Sequence, residues 1–499
     1  MKRTSIIAAT ATLLVLATSV RGDAQPKYQP FPQGYGYLDP LEMRALMKAV
    51  RNGDHKTVRQ HGWKLWAGIM QPSSNAPGWP IWYTWPNTTA AFAPPPPPPN
   101  GALTASAPAG PKKSLMLLNA EAGAGQSAGG GIPVNVPEVP CYPIPAPVVQ
   151  TYPHATDPKV CGANNICDGS HFQFNGDIMI ATESLSMAAY KMIRGGRAYL
   201  QSELDRLRKQ GTKDLPLPPP YVVTKHMFWP VKRGRISAIP VWHDYHDGTY
   251  SGYAGYETWP DLVAVDPSGQ SVGTKATVSY LYGVLQLQPP PQPACTNQTA
   301  FPTVTASATV YALNDFYYHQ VTQADWDSFD EADKAILNAA SYWAYNEPFG
   351  VNDYLVTIAM HVNTKEIPSW ALQSAWWSDV PNAGKYAEDR PRLPQAKGPW
   401  DHYLLVDAYG IPDPDHKERL PVATNPYVEL VSHPVGTDCN NCHMRAGWPT
   451  KSHGGTASYQ NPDCADELAK LLPSNACFAK IMRTDFQWII PDRALAPPK

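Results

Sequence analysis

Six short runs of β-branched and aromatic residues most strongly constrain the fold of this 499-residue chain. They lie between residues 221 and 362 and are separated by Gly, Pro, Asp and Asn. Such runs fit a pleated, half-buried surface, and the residues between them favour turns. The pattern therefore predicts a mainly antiparallel β region. The runs are YVVTKHMFWPV, RISAIPVW, LVAVD, KATVSYLYGVLQL, TVTASATVYAL and DYLVTIAMHV.

Helical patterns flank and interrupt these runs. Apolar residues at helical spacing from Leu41 to Val50, followed by a second helical stretch to about Met70, predict an N-terminal helical hairpin. One long helix is predicted over SLSMAAYKMIRGGRAYLQSELDRLRKQG, with a kink at Gly195 and Gly196. Another is predicted over QADWDSFDEADKAILNAASYWAY. The fold class expected from these elements is α+β.

The chain divides by composition into several units, because its length exceeds what one core usually holds. The tail PDCADELAKLLPSNACFAKIMRTDFQWII predicts a short helix and a second helix capped by Ser474. The expected organisation is a signal peptide (1–24), a helical region (25–92), a Pro/Gly/Ala-rich linker (93–140), an aromatic-rich α+β domain (141–424) and a C-terminal unit (425–499).

The N terminus has the features of a secretory signal peptide. A basic start precedes an apolar run from Ile6 to Val20, and small and polar residues follow. This run is shorter than the roughly 20 residues that span a bilayer, so we expect a periplasmic or secreted chain with no membrane span after cleavage. An uncleaved membrane anchor is the alternative. The net charge of −2 indicates neither a nucleic-acid partner nor an anionic membrane surface.

The segment VGTDCNNCHMRAGWP contains a C-x-x-C-H motif at Cys439, Cys442 and His443. In an exported protein the eight cysteines would ordinarily form disulfides. However, two thiols one helical turn apart can each add to a haem vinyl group, and the adjacent imidazole can bind iron. Chance would give only about 0.004 such motifs at this composition. A disulfide between these cysteines and a zinc site shared with Cys464 and Cys477 are the alternatives.

This motif resembles that of the c-type cytochromes, with Cys439 and Cys442 matching the thioether cysteines and His443 the proximal iron ligand. The resemblance implies a small, mostly α-helical cytochrome c-like region over residues 425–499 that carries one covalent haem c. It also implies that a proline carbonyl, here that of Pro449, accepts the Nδ1 proton of the ligand. No helix is predicted before the motif, so the region departs from an ordinary small cytochrome domain.

The sequence leaves the identity of the sixth iron ligand undecided. Met482 follows His443 by 39 residues, a separation that resembles the distal methionine of the family. Packing against Phe478 on a helix would explain Met482 equally well. The other candidates are the histidines His433, His453 and His361. An open iron position would allow peroxide or another small molecule to bind.

Electron transfer to a redox protein partner is the leading functional hypothesis. A haem-dependent oxidoreductase with an open iron site, and a secreted ligand-binding protein with a structural haem, are the alternatives. Aromatic residues could line a small-molecule site in the β domain, although core packing is the commoner use of such residues. They are Tyr253, Tyr256, Trp259, Trp370, Trp376 and Trp377.

Two further features leave alternatives open. The remaining six cysteines are consistent with three disulfides, of which Cys464–Cys477 is favoured. The sequence VWHDYHDG could suggest a metal site. Strand alternation places His243 opposite Asp244 and His246, which favours a solvated turn.

Overall fold

A computed structural model describes residues 27–94, 180–243, 261–281, 303–329, 331–412, 420–421, 423, 425–428, 439–450, 453–457 and 478–496. The predicted signal peptide and six of the eight cysteines lie outside these residues. The expected disulfides among those six cysteines therefore stay predictions.

The fold is α+β, as predicted, and each of the six predicted runs contains a strand. The described strands are β1 (Ile180–Leu185), β2 (Val222–Val231), β3 (Ser237–Val241), β4 (Asp261–Asp266), β5 (Lys275–Leu281), β6 (Thr303–Ala312), β7 (Tyr318–Gln320), β8 (Tyr354–Thr364), β9 (Ala371–Trp377), β10 (Tyr403–Ala408), β11 (Gly447–Trp448) and β12 (Met482–Arg483).

An antiparallel sheet of six strands forms the centre of the molecule. Its order is β1-β2-β8-β9-β10, and β7 pairs with the start of β8. The central strands β2 and β8 are buried on both faces, which explains why their sequences are nearly continuous apolar runs. A second sheet has the order β3-β4-β6-β5, in which only the β4–β6 pair is parallel.

The N-terminal helical hairpin is confirmed and packs on one face of the six-stranded sheet. Asp39 caps the first helix, whose C-cap Gly53 has a left-handed φ of 69°. The indole of Trp66 donates a hydrogen bond to the carbonyl of Trp400, and Arg59 forms a 2.8 Å ion pair with Asp407 in β10. The described α-helices are α1 (Pro40–Asn52), α2 (His55–Ile69), α3 (Thr88–Ala91), α4 (Met187–Gly195), α5 (Gln201–Lys209), α6 (Gln323–Ser328), α7 (Glu331–Tyr345), α8 (Cys439–Met444) and α9 (Ile489–Arg493).

Two long helices predicted from the sequence are each divided in the structure. The helix predicted over residues 184–211 begins only at Met187, because Ser184 and Leu185 belong to β1, and it breaks after Gly195. Between α4 and α5, Arg197 has a φ of 55°, so the backbone leaves the helical path. The second predicted helix divides into α6 and α7, and the extended backbone of Phe329 ends α6.

The expected cytochrome c-like, mostly α-helical region over residues 425–499 is not supported by the described residues. They contain two short helices, α8 and α9, and the two-residue strands β11 and β12. Met482 lies in a strand rather than on the predicted helix. Ser474, the predicted cap of that helix, lies outside the described residues.

The C-terminal segment shares the main core with the rest of the chain. Trp448, Met482 and Ile490 belong to the same buried cluster as the tryptophans of α2 and the strands of the large sheet. Asn425 donates a hydrogen bond to the hydroxyl of Ser374 in β9. The C-terminal segment is therefore attached to the sheet through the shared core and through polar contacts. The predicted domain boundaries stay predictions.

Candidate functional site

Helix α8 holds the C-x-x-C-H motif and is fixed at its start by three hydrogen bonds. The backbone N–H and the thiol of Cys439 both donate to the carbonyl of Ala423, at 3.1 and 3.0 Å. Asn440, which is 1% exposed, donates from Nδ2 to the carbonyl of Ser369 at 2.6 Å. Ser369 lies just before β9, so this bond joins the motif to the central sheet.

The two motif cysteines lie one helical turn apart, and both are half-buried. Each carries a thiol rather than a disulfide. Two thiols at this spacing and partial exposure are the donor set that covalent attachment of a porphyrin needs. The alternative of a disulfide between Cys439 and Cys442 is not formed in this structure.

His443 is oriented by a backbone carbonyl. Its Nδ1 lies 2.6 Å from the carbonyl oxygen of Phe486. Because a carbonyl only accepts, Nδ1 carries the proton in this contact, and in the neutral imidazole Nε2 then carries the lone pair. An imidazole in this tautomer can bind a metal through Nε2.

The carbonyl that holds Nδ1 therefore comes from Phe486 rather than from Pro449, the residue expected from the resemblance. The Pro449 carbonyl instead accepts the N–H of Ala457 at 3.2 Å. The prediction of Pro449 is therefore wrong, and the acceptor lies 43 residues beyond the histidine.

Trp488 fixes the other end of the motif. Its indole Nε1 donates to the carbonyl of Cys442 at 3.1 Å. The indole also belongs to a small buried cluster with Met444, Phe478 and Ile481 beside the helix. Met444 is thus a packing residue.

The candidate sixth ligands lie in different surroundings. Met482 is fully buried in the main core, and its backbone pairs with Trp448 across β11 and β12. His453 contacts the amide of Gln201 through Nε2 at 2.9 Å and the hydroxyl of Thr450 through Nδ1 at 2.6 Å. Ligation by His453 would require it to give up the Gln201 contact. His361 lies in the middle of β8, and His433 lies outside the described residues.

The aromatic residues proposed for a ligand groove are core residues where they are described. Trp370, Trp376 and Trp377 are each 0% exposed. Trp377 stacks on Phe316, and its indole donates to the Asp315 carbonyl. The other three aromatic residues, at positions 253, 256 and 259, lie outside the described part of the chain.

His243 is not solvated in a turn, as the sequence suggested, but is half-buried between two aspartates. Its Nδ1 and Nε2 lie 2.8 Å from carboxylate oxygens of Asp261 and Asp379, respectively. The hydrogen bond to Asp379, together with that to Asp261, raises the pKa of His243 to about 9 despite burial. The charged imidazolium thus ties β4 to the segment after β9. Among the residues that the structure describes, no group of three or more His, Cys, Asp and Glu side chains is arranged to hold a metal ion.

Sequence reasoning found the motif but missed the residues that position it. Phe486 and Ala423 act through their carbonyls, which every residue type possesses, so no sequence pattern marks them. Asn440 lies inside the motif, at a position where the motif itself specifies no residue type. Trp488 could have been noted as an aromatic residue in the apolar segment FQWII.

Comparisons with known proteins found no matching family model, no matching curated protein and no matching solved structure. Within the described ranges, no helix is both long and apolar enough to cross a membrane.

Proposed function

We propose that this chain is an exported c-type haem protein that carries one covalently bound haem c and transfers electrons to or from a redox protein partner. The proposal places Cys439 and Cys442 as the thioether cysteines and His443 as the proximal iron ligand. The observation that carries it is the 2.6 Å contact between His443 Nδ1 and the Phe486 carbonyl, beside two thiols on one helical turn.

The described residues fit this group by the chemistry of their donors. Attachment consumes one S–H per thioether bond, and both cysteines are thiols. The thiol of Cys439 would lose its contact with the Ala423 carbonyl, but its backbone N–H would keep the same acceptor. The start of α8 would therefore remain anchored after the sulfur has reacted.

The Phe486 carbonyl gives His443 a second property that a ligand needs. A hydrogen bond from Nδ1 fixes the ring orientation and makes Nε2 more basic, which strengthens metal binding. Neither a disulfide loop nor a solvated histidine requires such a bond. A bound haem would supply the one-electron chemistry of iron at this site.

Covalent attachment of this kind takes place outside the cytoplasm, so the proposal requires export. The predicted signal peptide at residues 1–24 supports export. Met482 is the proposed sixth ligand, and a thioether there would raise the reduction potential. The site lies on a larger α+β fold instead of on a separate cytochrome-like helical domain. The main core and the hydrogen bonds at the start of α8 would therefore hold the helix that carries the haem.

Haem staining on a denaturing gel tests the proposal, because only a covalently held porphyrin stays with the chain. We expect the mature chain, produced in a host that attaches haem, to stain, and the variant Cys439→Ala/Cys442→Ala to lose the stain. His453→Ala is the matched control and should stain like the wild type. An unstained wild-type chain that is folded and exported would contradict the proposal.

The absorption spectrum of the reduced protein separates electron transfer from the alternative of an oxidoreductase with an open iron site. A low-spin spectrum that carbon monoxide leaves unchanged is expected for a carrier. A high-spin spectrum that shifts with carbon monoxide would instead favour the oxidoreductase.

A further inference from the structure

The carbonyl that contacts His443 belongs to an unusual tight turn at residues 484–487. The N–H of Gln487 donates to the carbonyl of Thr484 at 3.0 Å, and both central residues have positive φ, 47° at Asp485 and 67° at Phe486. Positive φ at both central positions is typical of a type I′ turn, which strongly prefers Asn-Gly. Here Asp-Phe occupies those positions.

The left-handed conformation is unfavourable for Phe486. Bulky side chains rarely adopt it, because Cβ approaches the following carbonyl group. A strained residue of this kind persists only when its surroundings fix it, and such residues cluster at functional sites. The strained peptide here is the one whose carbonyl contacts His443 Nδ1.

Asp485 fixes the turn to the central fold through three donors. Its Oδ1 accepts from Lys365 Nζ at 2.6 Å and from the indole Nε1 of Trp370 at 3.1 Å, and its Oδ2 accepts from the N–H of Leu217 at 3.2 Å. These donors come from two places in the chain outside the C-x-x-C-H helix: the segment before β2 and the connection between β8 and β9. A fully engaged carboxylate is a rigid anchor, because each bond is assisted by its charge.

We propose that Asp485 is a positioning residue that aims the Phe486 carbonyl at His443 and thereby fixes the tautomer of the imidazole and tunes the potential of the site. The proposal rests on the proposed function for its redox part, but the tautomer exists in the chain without haem. A stronger Nδ1–H···O bond gives the imidazole more anionic character, which favours the oxidised iron and lowers the reduction potential.

Two variants test this role. Asp485→Asn replaces one acceptor oxygen by an NH₂ group that faces donors, and Lys365→Met removes one donor while keeping the length of the side chain. Asp327→Asn is the matched control, because Asp327 is an exposed-helix residue of α6 bonded only to Gln323 among its described hydrogen bonds. All are made in the full-length chain.

The first readout is nitrogen-15 NMR of His443 in the haem-free chain, at a pH where the imidazole is neutral. We expect the Nδ1–H tautomer to dominate in the wild type and in Asp327→Asn. In Asp485→Asn the ratio of Nδ1–H to Nε2–H should fall by about threefold or more, the factor that one net hydrogen bond supplies. Global destabilisation alone would not move this ratio in molecules that are still folded.

The second readout is the reduction potential of the haem-loaded protein, which should rise in both Asp485→Asn and Lys365→Met. The lysine variant separates the effect of the turn on the Phe486 carbonyl from the direct effect of charge on the iron. Loss of a nearby cation would by itself lower the reduction potential, whereas loosening of the turn should raise it. An unchanged tautomer ratio in Asp485→Asn, or a fall in potential in Lys365→Met, would overturn the proposal. A chain that takes up no haem would refute the proposed function, while the tautomer measurement would still decide the role of Asp485.

Discussion

The buried histidine of the N-terminal hairpin gives a stability prediction that can be worked out from the structure. His61 on α2 is 1% exposed, and its Nε2 lies 3.1 Å from Glu366, while its Nδ1 lies 3.5 Å from Glu42. Burial alone would lower the pKa of His61, but the hydrogen bonds to Glu366 and Glu42 raise it to about 9. The contact between His61 and Glu366 joins the hairpin to the loop after β8.

The sign of the pH dependence follows from proton linkage. Because the pKa of His61 is about 9 in the folded chain and 6.5 ordinarily, the folded state holds an extra proton between these values. The stability that protonation of His61 contributes is fully present below pH 6.5 and is lost as the pH rises through 9. A pKa difference of this size corresponds to about 3 kcal/mol. The hydrogen bond with His61 lowers the pKa of Glu42 to about 2, so Glu42 stays ionised throughout this range.

Urea unfolding measured from pH 6 to pH 10 provides the assay. Across this range we expect the free energy of unfolding to fall by about 3 kcal/mol more in the wild type than in His61→Gln. His243, whose pKa is also raised to about 9, contributes in the same range but is more exposed to solvent. The variant His243→Gln therefore measures the contribution of His243 to the pH dependence separately. An equal decline in the wild type and in His61→Gln would refute the reasoning.

Three further predictions concern the C-x-x-C-H helix and the residues near it in the C-terminal segment. Asn440→Ala should destabilise the chain by about 1 kcal/mol in urea unfolding, because the half-buried Ser369 loses the donor to its carbonyl, and an unchanged midpoint would contradict the anchor. Trp488→Phe should lower haem attachment, measured by the ratio of haem to protein absorbance, because the Cys442 carbonyl loses the indole donor while most packing is kept. Met482→Leu, which preserves volume, should change the low-spin spectrum of the reduced protein, whereas an identical spectrum would eliminate Met482 as the sixth ligand.

The strands that the sequence predicted are those whose side chains follow β propensity. The β2 and β8 runs are rich in Val, Ile and aromatic residues, so their conformation could be predicted without knowledge of the fold. Strand β9, with the sequence ALQSAWW, was instead considered as a ligand groove or core segment, because its tryptophans are equally suited to stacking. Strand β10 carried no clear alternation, since most of its residues are buried.

The helix boundaries were less predictable, because tertiary contacts decide them. Leu200 forms a bridge with Leu495 between α4 and α5, and this contact joins residues almost 300 positions apart. Such a pairing competes with continued helix but leaves no local signature. The predicted C-terminal helix containing Met482 failed for the same reason, since the backbone of Met482 pairs with Trp448 instead.

For the candidate site, the sequence was sufficient to predict the helical turn of the motif but not the orientation of the imidazole of His443. Spacing alone places Cys439, Cys442 and His443 on one helical turn. The acceptor of the histidine proton is a backbone carbonyl, and its position depends on the turn at Asp485 and Phe486. That turn has positive φ at both residues without the glycine that would have marked it.

The intact mass of the mature exported chain tests the central claim most directly, when it is measured after production in a host that attaches haem. A single covalent haem predicts a mass equal to the processed polypeptide plus one iron porphyrin, and the addition should disappear in Cys439→Ala/Cys442→Ala. A folded, exported wild-type chain with the mass of the bare polypeptide would contradict the assignment of Cys439, Cys442 and His443 as a haem site.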